Sequence, residues 1–199
     1  MSFDSDRFKI DQLVRPIANL YRVTPLAIGD TPAGSPIAYV RQKKLKIKED
    51  IRFYADEGET QELFRIKARS MLDFGGSRYD VLEGDERIGL LSHKFRESLI
   101  RTTWHVGGAD EQEIALARER SAAGAIARRV VDFVPYVGEY IPIPYNFEIL
   151  MGDQVIGGMD RKFKVRDEYV LDLSDDREKK LDRRLAVALA VGLDTLQNR

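Results

Sequence analysis

The sequence predicts an all-β fold: a closed antiparallel barrel of about twelve strands enclosing a hydrophobic C-terminal helix. Three observations point there. Most of the chain reads as short strand-like runs, joined by turns too short for parallel crossovers. The segment LAVALAVGLDTL, residues 185–196, holds nothing polar in its first nine residues. A surface helix shows one apolar stripe, and this segment is apolar all round. Finally, RYDVLEGDERIGLLSHKF (78–95) aligns with NFEILMGDQVIGGMDRKF (146–163) at a constant offset of 68. One hairpin recipe is used twice, by convergence on a common turn or by internal duplication.

The strands follow in order. RFKIDQLVR (7–15) and NLYRVTPL (19–26) are broken by Pro16, and the loop GDTPAGSP leads to AYVRQKKLKI (38–47). IRFYAD (51–56) ends in the turn EGE, and ELFRIKARS (62–70) ends near DFGG. RYDVLE (78–83), RIGLLSHKF (87–95), IRTTWHV (100–106) and EIALARE (113–119) come next. NFEILM (146–151), QVIGGMDRKF (154–163) and EYVLDLS (168–174) complete the wall. Two segments break the pattern. SAAGAIARRVVDFV (121–134), with Ser121 as N-cap, reads as a helix outside or across one end. The second is the C-terminal segment, expected as a helix over about 177–197. Asp175 or Asp176 is its expected cap, and acids near its start suit the helix dipole.

The two parts fit by size. Twelve helical residues span roughly 18 Å, about the length of a five- or six-residue strand. A lumen ringed by a dozen strands is too wide for wall side chains to fill, and a helix about 10 Å across fills it. Leu63, Phe64, Ile66, Val81, Ile88 and Leu90 are the expected wall residues against it. As a strand the segment is disfavoured by its alanines, and as a membrane anchor it is too short.

Composition bounds the function. A chain of 199 residues suits a single domain over 1–199, with residues 1–35 giving the first two strands and a loop. A net charge of −1 supplies no global field for nucleic acid, which is not an expected partner. The absence of cysteine excludes disulfides, thiolate zinc sites and cysteine nucleophiles. The start MSFDSDRFKI has no secretory pattern, and Ser2 stands where myristoylation requires glycine. No apolar run reaches the ~20 residues of a membrane span, so the chain is not expected to be transmembrane. A cytoplasmic location, peripheral at the membrane, is the expectation.

The chain resembles the tubby-like superfamily, in its branch of LURP-one-related and phospholipid-scramblase-like proteins. The resemblance rests on YVRQKKLKIKEDIRFYAD, on FRIKARSMLDFGGSRYDVLEGDERIGLLSHKFRESLIRTTWHV and on DRRLAVALAVGLDTLQ, and covers roughly residues 36–197. It implies a twelve-stranded barrel around a central helix, with lipid or protein contact as its function. Scrambling is not implied, because the cysteines, proline-rich arm and acidic calcium loop of the scramblases have no counterpart here.

No catalytic constellation emerges. DFGG (73–76) stands without the other kinase motifs and reads as a turn. His93 and His105 are the two histidines, and no metal or cofactor is expected. Asp194 marks where the helix leaves the barrel, and Trp104 reads as a core or rim aromatic. The strongest surface feature is VRQKKLKIK (40–48), with five bases and no acid. Arg41, Lys43, Lys44, Lys46 and Lys48 are the candidates for anionic phospholipid headgroups. Lys44, Lys46 and Lys48 share one strand face, with Leu45 and Ile47 on the other. Arg41 and Lys43 stand in the opposite phase, which a bulge near Gln42 would reconcile. The alternative function is a protein-interaction or scaffold module, working through Tyr136, Tyr140 and Tyr145 in VPYVGEYIPIPY.

Overall fold

Alternating apolar residues give each short run one face to bury, and twelve such runs bury those faces around a common axis. The computed structural model describes residues 3–14, 18–43, 50–69, 76–94, 102–120, 146–162 and 168–196. The strands are β1 (Arg7–Val14), β2 (Ala18–Pro25), β3 (Ala38–Lys43), β4 (Asp50–Tyr54), β5 (Glu62–Ala68) and β6 (Gly76–Glu83). They continue as β7 (Glu86–Lys94), β8 (Thr103–Gly107), β9 (Glu113–Glu119), β10 (Phe147–Met151), β11 (Gln154–Lys162) and β12 (Glu168–Asp172). Each pairs antiparallel with its neighbours in sequence, and β1 closes on β12 from Arg7↔Asp172 to Asp11↔Glu168. The sheet is therefore a closed barrel with no free edge. The expected helix over 121–134 falls outside the described residues.

The C-terminal helix runs through the lumen from Arg183 to Thr195, and every residue but Arg184 is buried. It starts six residues later than the sequence suggests. Asp182 caps it, accepting from the Arg184 N–H at 2.8 Å, and its first turn holds no acid. Asp176 has another task. Its carboxylate accepts from the N–H groups of Lys180 and Leu181 and from Arg183 Nη1. Lys179 then adopts a left-handed φ of 51°, which no helix continues through. The chain needs this turn to leave the wall at Asp172 and aim down the axis.

The wall residues meet the helix as expected at Phe64, Ile66 and Val81, which are fully buried in the core. Leu63 and Ile88 pack partly buried against it. Leu90 is buried but does not join that cluster, being one residue out of phase with Leu91. The repeated hairpins, β6–β7 and β10–β11, share their irregularities. Each turns through a left-handed glycine, Gly84 at φ 59° and Gly152 at φ 57°. Each shifts register at the same step, between Val81 and Leu82 and between Ile149 and Leu150. The next glycine serves a different neighbour in each copy. A Cβ at Gly89 would lie 2.6 Å from Leu185 of the helix, and one at Gly157 would collide with the Asp172 carbonyl.

This packing predicts opposite outcomes for two small changes in the helix. Ala188 has no exposed surface, so Ala188→Asp buries an unpaired charge and leaves the chain insoluble on expression. A Cβ at Gly192 meets only ordinary contacts, 3.5 Å to Leu196 and 3.6 Å to Leu91. Gly192→Ala should therefore stabilise by about 0.5–1 kcal/mol and raise the melting temperature by about 1–4 °C in a thermal scan.

Candidate functional site

With the lumen filled, surface chemistry falls to the outer wall and the two mouths. The candidate basic stretch begins on β3, so its phase matters first. Ala38, Val40 and Gln42 are buried, while Tyr39 and Arg41 face outward. Register is unbroken on both sides, from Ala18↔Lys43 to Val23↔Ala38 and from Tyr39↔Tyr54 to Gln42↔Ile51. The bulge expected near Gln42 is thus absent from the described strand. Gln42 stays in phase because its buried amide oxygen accepts from Asn19 Nδ2 at 2.8 Å. Lys43 ends β3, and Lys44, Lys46 and Lys48 lie outside the described residues.

Arg41 sits in a shallow dent of about 40 Å³ on this wall. Leu13 and Leu20, opposite each other on β1 and β2, form part of its lining with Tyr39 and Tyr54. The β4–β5 loop folds over the dent with Glu57 and Glu59. Arg41 Nη1 donates to Glu59 Oε1 at 2.5 Å, and both side chains stay partly exposed, 40% and 31%. The loop is held by Asp56, which accepts from the Thr60 hydroxyl and from the N–H groups of Thr60 and Gln61. Those bonds, led by that of the Thr60 hydroxyl, hold the Asp56 carboxyl below the usual range. Glu59 was invisible as a partner in sequence, because only the fold of this loop brings it across to β3.

The helix ends carry the buried charges. At the mouth where the helix enters, Arg183 Nη1 meets Asp176 at 2.6 Å with side-chain exposures of 4% and 3%, and Nη2 meets Asp6 at 2.7 Å. Burial opposes the Asp176 charge, but the bonds from Arg183, Leu181 and Lys180 outweigh it and hold the carboxyl below its usual range. Beside it opens a cleft of about 420 Å³, lined by Phe3, Leu63, Phe64 and Leu181 with Glu83 and Arg184 among its charged residues. At the other end Asp194 is buried, not merely an exit point. It accepts from the hydroxyls of Tyr21, at 2.6 Å, and Tyr169. Burial first, and then the Asp194 charge, push the Tyr21 hydroxyl well above its usual range.

The histidines have ordinary surroundings. His105 Nδ1 lies 2.5 Å from Glu113, and the His93 ring lies 5.2 Å from that of Trp104. Trp104 is a core residue, stacked on Tyr79. Among the described residues no His, Asp and Glu group is placed to hold a metal ion, and no helix is long and apolar enough to cross a membrane. Tyr136, Tyr140 and Tyr145 fall outside the described residues, as do residues 73–75 of the DFGG turn.

The Asp176 pair predicts acid sensitivity. Its folded pKa is depressed, so its contribution is complete above the unfolded value of about 3.9 and is lost as pH falls through the folded value. Urea midpoints measured from pH 6 to pH 3 should fall steeply below about pH 4. Asp176→Asn should cost about 3 kcal/mol at pH 7, the low end for a broken buried pair because Asp6 remains, and should flatten that fall.

Comparison with curated proteins finds no match to this chain. Comparison with protein families does: residues 37–194 match LURP-one-related, a span from just before β3 to the penultimate residue of the helix. The two preceding strands close the barrel from outside that span. By this match over most of its length the chain belongs to the LURP-one-related family.

Proposed function

We propose that this chain is a non-enzymatic barrel protein that binds anionic phospholipid headgroups at a membrane surface. It is a kin of the tubby-like and scramblase-like barrels, peripheral at the cytoplasmic side. Among the described residues the lumen is occupied by the chain's own helix, which argues against a lipocalin-like carrier. One observation supports the reading: connections that alternate along the barrel differ in the charge of their sequences.

In an up-and-down barrel, alternate connections leave opposite mouths. The β2–β3, β4–β5, β6–β7, β8–β9 and β10–β11 connections leave the mouth where the helix enters. These segments, 26–37, 55–61, 84–85, 108–112 and 152–153, hold eight acids and no base. The six connections that join strands at the far mouth are 15–17, 44–49, 69–75, 95–102, 120–146 and 163–167. They hold twelve bases and six acids in sequence. The net charge of −1 conceals this separation. Several entry-mouth acids are also engaged by arginines: Asp30 by Arg7, Asp85 by Arg65, and Glu111 by Arg87 and by Arg69, the one base of the 69–75 connection, whose side chain is thus already committed. The basic surplus of the far-mouth connections, to which Lys44, Lys46 and Lys48 belong, matches an anionic surface.

Vesicle flotation tests this. The protein should float with vesicles containing phosphatidylserine and stay behind with neutral ones, more so at low salt. Changing Lys44, Lys46 and Lys48 together to Glu should weaken binding by about a hundredfold or more, at about 1 kcal/mol per lysine near the surface. Equal flotation with both vesicle types, or no loss in the triple variant, overturns the reading.

A further inference from the structure

Several arginines on this outer wall hold their acceptors through two or more N–H groups. Arg52, opposite Arg41 on β4, donates from Nε and Nη2 to Asp50 and from Nη1 to Glu62. Arg118 donates from Nε and Nη2 to Glu148, and Arg69 engages both Asp80 and Glu111. Arg41 is different. Glu59 takes one N–H of its fork, and its Nε, like that of Arg22 on β2, is buried without an acceptor. A guanidinium binds carboxylate or phosphate best through two parallel N–H groups, so Arg41 is held by a partner that leaves it incompletely bonded.

Glu59 is also a strained partner. It has a left-handed φ of 58°, which is unfavourable for a side-chain-bearing residue. The loop does not depend on the contact for its shape, since Asp56 holds Thr60 and Gln61 and the Glu59 N–H donates to the Asp56 carbonyl at 3.2 Å. An acid is thus carried on a self-supporting loop and laid on an under-bonded arginine. Beside them is a dent lined by Leu13, Leu20, Tyr39 and Tyr54, which offers apolar and aromatic surface for the part of a molecule attached to an anion.

We propose that Arg41 and this dent form a subsite for the phosphate of an anionic lipid headgroup, and that Glu59 is its built-in competitor. The lipid phosphate takes the Arg41 fork when Glu59 is displaced, so the β4–β5 loop sets the affinity of this wall. The proposal rests on the headgroup reading above and adds its regulation. The occupant is a lipid in a bilayer rather than a free anion, because the dent is apolar and lies on the strand that leads into the basic stretch.

A double-mutant cycle in flotation tests it, using vesicles with phosphatidylserine. Glu59→Gln should bind about fivefold tighter than the unaltered protein, the effect of one unit charge near an anionic surface. Arg41→Ala should weaken binding, and in the Arg41→Ala background Glu59→Gln should give no gain. Circular dichroism should show every variant folded. A gain that survives in the Arg41→Ala background is general electrostatics and overturns the competitor role, while leaving the headgroup reading intact. No binding of any variant removes both. Stabilisation of Glu59→Gln by inorganic phosphate alone, without vesicle binding, overturns the lipid as occupant.

Discussion

Everything in this fold answers to one constraint: a twelve-strand wall encloses a space that its own side chains do not fill. The chain fills it with a helix whose residues from Leu185 to Thr195 are all buried. Small residues keep the helix thin where the wall is close, and Gly89 thins the wall where Leu185 is large. The consequence reaches the ends of the barrel. A helix that is apolar along its shaft must become polar where it meets water, and its orphan N–H and C=O groups need partners. At the entry Asp182, Asp176 and Arg183 supply that polarity, and at the far end Thr195 bonds back to the Val191 carbonyl while Asp194 takes two tyrosine hydroxyls. The shaft gives burial, and the two ends fix how deep it sits.

The wall was legible because turn chemistry is local. The Gly-Asp turns after Glu83 and Met151 are read directly from adjacent residues, and the repeated glycine three to five positions on marks the same shift in register. The apolar run from Leu185 was legible for the same reason. Its starting point was not. Asp175 and Asp176 look like caps in sequence, but the acid is claimed by an arginine seven residues later, a contact set by the turn between them. The bulge expected near Gln42 failed for a related reason. Gln42 keeps the strand in phase by bonding Asn19 on the neighbouring strand, a partner to which no sequence period points.

The candidate surface was legible as composition rather than as geometry. Five bases in nine residues stand out in any reading of the chain. That the connections on one side of the strand alternation hold eight acids, and those on the other a basic surplus in sequence, needs the strand order, because the segments alternate along the sequence and cancel in its sum. The Arg41–Glu59 contact needs more still, since it depends on a loop that folds back over the wall instead of leaving it. Distance along the chain predicts neither.

The closure of β1 on β12 has a kinetic meaning as well. These strands pair across most of the chain, and the helix follows both in sequence. During synthesis the wall cannot close until β12 has emerged, and the core cannot form until the helix has. Until then the inward residues of eleven strands have no partner across the lumen. Such long-range order makes folding slow and leaves unpaired strand edges open to other chains meanwhile. The finished barrel has no edge to aggregate through, whereas the growing chain has edges throughout. The hazard of this architecture therefore belongs to its making, and fast, locally encoded hairpins such as β6–β7 are what shorten it.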